Sequence, residues 1–439
     1  MKRSTAEIDA PAFLRALQPK LAAVGITRLA DVTGLDRVGL PVVLAVRPLG
    51  RSLAVSQGKG LTREQASVSA ILEAMELHHA ERHRLPLCYG RDDELAGRLR
   101  LVDLEQLPYR HGADRARRRP LLWAEGSDLA DGGSRWLPYE LVHADYSLPQ
   151  PAASGLFAQS TSGLGAGATR SGAIRHALLE AVERDGLALA QADPEPPAAR
   201  LLDLDGVEDP DCRAVLAAAA AAGLAVVALD VTSELAVATI SCRLIERQRV
   251  AAAMAHPAEG SAADPLPERA LLKALIEAAQ ARLAFIAGTR DDLSPLDYVA
   301  LDAERERDFW LACADADWPR RPVATLPRGP ADDDEAVIGW VRARLAGAGL
   351  DQVVVVDLDD PDVAVPVVRI VVPGLEPPPH PTHAPGRRAL ARRARSASQH
   401  RCTSGRCVRS AATPRIPRPR RPAGRRRRHP PAASGRCAP

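Results

Sequence analysis

Two Glu-x-x-Glu pairs are the residues of this chain whose types and spacing could do chemistry, and each stands after a glycine-rich turn. The first lies in SQGKGLTREQASVSAILEAMELHHAE, Ser56 to Glu81. With a helix beginning near Thr62, Ser69, Glu73 and Glu76 fall at i, i+4 and i+7 and share one face. A hard cation such as magnesium that already holds nucleotide phosphates needs one or two carboxylates plus water, and Lys59 in a flexible Gly58-Lys59-Gly60 turn can reach a phosphate. A solvated acidic face above a salt-bridging lysine is the competing reading. The second pair lies in TSGLGAGATRSGAIRHALLEAVERDG, where Glu180, Glu183 and Arg184 fall towards one face of a helix over roughly Arg170 to Ala190. A third helix, about Pro267 to Ile286, sets Lys273, Glu277 and Gln280 on one stripe.

The elements that must position these groups alternate. Val68, Ile71, Leu72 and Met75 form an apolar stripe beside the first acidic face. Asp9 to Val24 reads as a capped helix with Asp9 at the N-cap and Pro11 in the first turn. Short strand-like runs, TRLADVT, VGLPVVLAVRP and SLAVSQ, lead into the first turn and helix. Leu121 to Tyr146 reads as a hairpin about Gly132-Gly133. A helix from Asp209 to Ala222, the strands LAVVALDV and AVATISCRLIE, a helix near Asp333 to Ala346 and the strands QVVVVDL and VPVVRIVVPGLE complete the body. The expected fold is a mixed α/β body of several sheets and helices. It divides into an N-terminal helical segment over 1–34, a main domain over 35–376 and a tail over 377–439.

Charge is divided unevenly. From Pro377 to Pro439 there are 17 arginines and neither lysine nor acid, so residues 1–376 carry 58 − 17 = 41 basic against 55 acidic groups. A body this acidic, with 3% aromatic residues, argues against general nucleic-acid binding. The tail's few large aliphatics cannot offset the entropy of ordering it, which predicts disorder. A basic arm, a neutral appendage and the product of a reading-frame error all account for its composition. No apolar run suits a membrane span or a signal peptide, and the 7 cysteines are scattered, so the chain is expected in the cytoplasm with reduced thiols.

Several motifs are excluded. Gly60 follows Gly58-Lys59 where a Walker A loop needs Ser or Thr, and no Gly-x-Ser-x-Gly elbow or His-Glu-x-x-His helix occurs. Gly163 to Ala168 satisfies the loose G-x-G-x-x-A form, which leaves a dinucleotide-binding reading, but the acid expected about 20 residues on is missing.

Taken in order, SQGKGLT, SAILEAMELHHAE, TSGLGAGATRSGAIRHALLEAVERDG and ERALLKALIEAAQARLAFIAGTRDDL resemble the YcaO-domain proteins, over Leu35 to Glu376. The resemblance implies a non-Walker ATP site and phosphorylation of a peptide backbone amide on oxygen, followed by displacement by a nucleophile. It places Ser69, Glu73 and Glu76 on the first nucleotide and metal motif, Glu180, Glu183 and Arg184 on the second, and Lys273 and Glu277 on the third. With Lys59 these would bind ATP, and Glu73, Glu76, Glu180 and Glu183 would hold Mg2+. No catalytic residue is assigned. GLDRVGLPVVLAVRPLGRSLAVSQGKGLT and ELHHAE look like the branch that works with a TfuA partner in thioamide formation, and azoline-forming cyclodehydration is the alternative. A peptide substrate, a TfuA-like partner and a homodimer are implied. Ala168 and Gly172 depart from the Asn and Glu common in the family, which also leaves a degenerate peptide- or partner-binding protein.

Overall fold

The computed structural model describes residues 9–114, 119–151, 154–193, 195–248, 256–289, 303–378 and 380–402. Along the first part of the chain come α1 (Ala10–Leu17), β1 (Arg28–Asp31), β2 (Val42–Val46), β3 (Val55–Lys59), α2 (Arg63–Arg82), β4 (Leu87–Gly90), α3 (Asp92–Leu95), β5 (Leu121–Asp128), β6 (Ser134–Pro138), β7 (Leu164–Ala166) and α4 (Arg170–Ala192). Then follow β8 (Leu202–Asp203), α5 (Pro210–Ala221), β9 (Leu224–Asp230), β10 (Thr239–Glu246), β11 (Ala258–Ala263), α6 (Pro267–Ala287), α7 (Ala303–Asp315), β12 (Arg321–Pro322), α8 (Asp334–Gly347), β13 (Val354–Asp357), β14 (Val367–Val371) and α9 (Arg387–Cys402).

Local signals place most of these boundaries. The Asp9 carboxylate accepts from Ala12 N at 3.2 Å and starts α1. That helix, expected to reach Val24, ends at Leu17 and passes into a 3-10 turn over Gln18–Lys20. Pro19 explains the early end, since it lacks an N–H and its ring obstructs the preceding turn. Thr62 and Gln65 close a capping box at the start of α2. Asp209 accepts from Cys212 N at 2.9 Å at the start of α5, and β5 and β6 form the hairpin expected about Gly132-Gly133.

Three sheets carry the helices that matter for the site. An antiparallel β1-β2-β3 sheet packs on α1 and α2, with Leu17, Val43, Ala45, Ala70, Ile71 and Met75 in one core. The central sheet runs β4-β5-β13-β14-β7, with β6 beside β5. Its Val355, Val368 and Ile370 meet Ala173, Ala177 and Leu178 of α4. A third sheet, β11-β10-β9, packs on α5 and α6 through Cys212, Val215, Leu244, Ala274 and Ala278. A buried Arg282 ties α6 to Asp36, before β2, and to Glu246, at the end of β10, with Nε 3.0 Å from Asp36 and Nη2 2.6 Å from Glu246.

Beyond Glu376 the structure departs from the expected disorder. His111 N donates to Thr382 O at 2.7 Å and Ala384 N to Tyr109 O at 2.9 Å. The Glu376 carboxylate accepts from Gly386 N and Ala389 N, at 2.7 and 2.9 Å, and so caps α9. Ala389 is buried, Arg388 pairs with the buried Asp185, and Arg392 lies 2.8 Å from Glu234. Arginines of the segment expected to be disordered thus meet acids of α4 and of the segment before β10. Residues 403–439, where the rest of that expectation falls, lie outside the described residues.

Candidate functional site

Helices α2 and α4 are built on one pattern. Gly58, Gly60, Thr62, Ala66, Ala70, Glu73 and Glu76 reappear as Gly165, Gly167, Thr169, Ala173, Ala177, Glu180 and Glu183, each 107 residues on (165 − 58 = 107). The shared glycines serve packing. A Cβ on Gly58 would stand 2.0 Å from Ala66 O and 2.1 Å from Ala70 N, and one on Gly165 would stand 2.5 Å from Ala173 O and 2.9 Å from Ala177 N. Each strand therefore lies directly on the small-residue face of the next helix. This corrects the reading of Gly58-Lys59-Gly60 as a flexible turn: Gly58 and Lys59 end strand β3. It also gives the glycines before α4 a role other than cradling a dinucleotide.

Backbone N–H groups of the strands pin the acids. Gln57 N donates to Glu73 Oε2 at 3.1 Å, and Ala166 N donates across to Glu76 Oε1 at 2.7 Å. Gly163 N donates to Glu180, and Ser261 Oγ of β11 donates to Glu183 Oε1 at 2.6 Å. The second link joins the two repeats and the last joins α4 to the third sheet.

Cations enter between them. Lys59 at the end of β3 pairs with Glu277 of α6. Arg184 lies 3.4 Å from Glu183 and 3.7 Å from Glu180. Lys273, expected beside Glu277, instead donates to the buried Asp264 at 2.7 Å. Ser69 is half-buried one turn before Glu73. Glu73, Glu76, Glu180, Glu183 and Glu277 thus outnumber Lys59 and Arg184, and burial sharpens the imbalance. Glu73 is pushed up to about 7 by burial, against the pull of Lys59 and of Gln57 N–H. Burial first, then Glu180 and Glu73, lifts Glu76 well above the carboxylate range. Burial raises Glu180, and raises Glu183 to about 7. Glu277 alone of the five goes down, because Lys59 and Arg184 outweigh its burial.

A divalent cation fits this surplus of half-buried carboxylate. Among the described residues no three ligand-type side chains stand close enough to chelate an ion by themselves. Mg2+ takes one or two carboxylates and completes its shell with water and substrate phosphates. At Gly172 an added Cβ would lie 3.1 Å from Thr169 Oγ1 and 3.4 Å from Asp334 Oδ2, so a glutamate there would start beside another carboxylate.

Proton linkage follows from these shifts. Between the ordinary value of 4.5 and about 7, Glu73 and Glu183 keep protons in the fold that the unfolded chain has released. Their contribution to ligand-free stability is full below 4.5 and is lost as the pH rises through about 7. Metal binding needs the ionised carboxylates and strengthens over the same interval. Melting curves between about pH 5.5 and 8 should therefore show the gap between protein loaded with Mg2+-ATP and ligand-free protein widening with pH. A gap that narrows would contradict the assignment.

Two neighbours of the cluster escape a motif search. His176 Nε2 lies 3.9 Å from Glu76 Oε1; it takes the place of Ser69 in the repeat (176 − 69 = 107), and that offset is the signal that finds it. Arg369, in β14, is buried and bears electrostatically on Glu180. Its sequence signal is one charge inside the apolar run VPVVRIVVPG.

Comparison with known proteins identifies the family. The profile of the YcaO family, described as YcaO cyclodehydratase, ATP- and Mg2+-binding, matches residues 57–376. A Rhizobium leguminosarum bv. trifolii protein, described as an uncharacterized protein in the tfuA 3' region, is 35% identical over 366 residues, which are 82% of this chain and 86% of that protein. The structure of YcaO from Methanopyrus kandleri bound with AMPPCP and Mg2+ superposes with a TM-score of 0.62 at 26% identity, covering 84% of this chain and 91% of that one. A heterocyclase in complex with substrate and cofactor shares the fold, with a TM-score of 0.69 at 20% identity over 86% of this chain and 54% of its own. Among the described residues no helix is long and apolar enough to cross a membrane. With its profile match spanning most of the body and its acid-bearing repeats inside that match, this chain belongs to the YcaO family of ATP- and Mg2+-binding proteins.

Proposed function

We propose that this chain uses ATP to activate a peptide backbone amide and exchanges the amide oxygen for sulfur, working with a TfuA-like partner. The observation that carries the reading is the surplus of carboxylates where α2, α4 and α6 meet, in a chain whose relative is named for the region 3' of tfuA. Glu73, Glu76, Glu180 and Glu183 hold Mg2+, one or two carboxylates to each ion, while Lys59, Ser69, Arg184, Lys273 and Glu277 line the nucleotide. Glu73 and Glu76 each commit one oxygen to a backbone N–H and keep the other for a ligand, so the site needs little reorganisation on binding. Phosphoryl transfer asks the protein for positioning and charge neutralisation more than for covalent chemistry, which suits a site of pinned acids and paired cations. Bound Mg2+-ATP supplies the phosphoryl group: the amide oxygen takes it with loss of ADP, a sulfide equivalent adds to the amide carbon, and phosphate departs with the original oxygen and the sulfide's proton.

A second reading is favoured by the family's description as a cyclodehydratase. There a Cys, Ser or Thr side chain attacks the same activated carbon and an azoline forms. Mass spectrometry of a peptide panel incubated with the chain, its partner, Mg2+-ATP and sulfide separates the two. Exchange of oxygen for sulfur supports thioamidation, whereas loss of one water supports the azoline. Absence of both products, with no rise in melting temperature on adding Mg2+-ATP, would leave a peptide- or partner-binding protein.

A further inference from the structure

Every cation that the sequence nominates for the nucleotide is already paired with a carboxylate: Lys59 with Glu277, Arg184 with Glu180 and Glu183, and Lys273 with Asp264. Arg369 differs. It lies in β14 opposite Leu164 of β7, between the buried Val368 and Ile370, and is itself 3% exposed. Its Nη2 donates to Ser160 O at 2.8 Å. Buried Nε and Nη1 have no hydrogen-bond partner, and among the described residues no carboxylate lies within ion-pair distance of the guanidinium. Tyr146 and Glu180 both act on it electrostatically.

A guanidinium stays protonated in proteins and carries five N–H donors. Burying it without a counter-ion, and with donors idle, is unfavourable. Such a residue is held in place by its surroundings and completed by an anionic ligand. The surroundings also say which anion. Two residues before Arg369 in β14, Val367 pairs with Ala166 of β7, whose N–H holds Glu76 of the cluster at 2.7 Å. An anion meeting Arg369 therefore lies beside the carboxylates that would hold a metal–phosphate complex. Phosphoryl transfer places its developing charge on the oxygens of the terminal phosphoryl group, where a cation not already neutralised is most effective.

We infer that Arg369 donates its unused N–H groups to the terminal phosphoryl group of the bound nucleotide. This rests on the ATP site proposed above and goes beyond it by assigning the residue that distinguishes ATP from ADP. A carboxylate of the peptide substrate is the other source of the same oxyanion chemistry.

Calorimetric titration of parent, Arg369→Gln and Arg369→Lys, with Mg2+ and either a non-hydrolysable ATP analogue or ADP, separates these. For Arg369→Gln we expect affinity for the ATP analogue to fall about 10- to 100-fold while affinity for ADP stays within about twofold. Arg369→Lys should recover part of the loss, since it keeps the charge without the fork. Ligand-free melting of both variants reports folding, and the lysine variant carries the comparison if the glutamine variant does not fold. Equal losses for both nucleotides, or none for either, would overturn the inference while leaving the ATP site intact. A raised KM for peptide with unchanged nucleotide affinities would put a substrate carboxylate there instead, and would equally overturn it. A parent that binds neither nucleotide would sink the proposed function, and this inference with it.

Discussion

Glu76→Gln and Glu183→Gln should each slow ATP consumption at least about 100-fold, because even outer partners of a metal site are worth 10- to 100-fold and these are proposed as direct ligands. The same variants should melt at or above the parent temperature at pH 8 without ligand. Glu76 is forced by burial, and then by Glu180 and Glu73, to remain protonated above the ordinary carboxylate range. Glu183 behaves likewise, at about 7. Glutamine is isosteric and can still accept from Ala166 N or from Ser261 Oγ, so it removes the repulsion and keeps the hydrogen bond. Lost turnover with retained or raised stability is the signature of residues placed for a ligand rather than for the fold. Unchanged turnover in both variants would refute the site. A large drop in melting temperature would instead make them structural.

Ending the chain at Glu376 should destabilise it by about 3 to 5 kcal/mol, the usual cost of breaking a buried ion pair by removing one partner. Asp185 is 0% exposed and faces Arg388, with Glu376 N donating to it at 2.9 Å. Without α9 the carboxylate keeps only that backbone donor. Burial already lifts Asp185 to about 6 in the full chain. That is above its unfolded value, so the charged form opposes folding above about pH 6, and the truncated chain should recover stability as the pH falls below it. Asp185→Asn in the shortened chain should restore most of the loss by removing the charge. Equal melting of the full and shortened chains would show that Arg388 and Ala389 add nothing to the body.

Periodicity and capping made much of the fold legible. Thr62, Asp209 and Asp333 stand where a side-chain oxygen can meet the N–H groups of a first turn, and helices begin at the next residue in each case. At α1 the apolar pattern continues past Pro19, but the helix ends before it. The acidic faces of α2 and α4 were equally legible, since residues three and four apart on a helix are neighbours by construction.

The sequence by itself determined, then, that Glu73 with Glu76, and Glu180 with Glu183, would each form a pair on one helix face, because that spacing is a property of the local backbone. Only the tertiary structure decided what those pairs meet. Lys59 finds Glu277 across 218 positions and Arg388 finds Asp185 across 203. Ala166 N reaches Glu76 from the other repeat, and Arg369 is set opposite Leu164 by the pairing of β14 with β7. A charge in sequence carries no record of its partner, since Coulombic and hydrogen-bonding contacts act through space and are set by which strands lie side by side. The disorder expected of residues 377–439 fails at Arg388 and Arg392 for the same reason. The acids that receive Arg388 and Arg392 lie on α4 and in the segment before β10, and only folding brings them within reach.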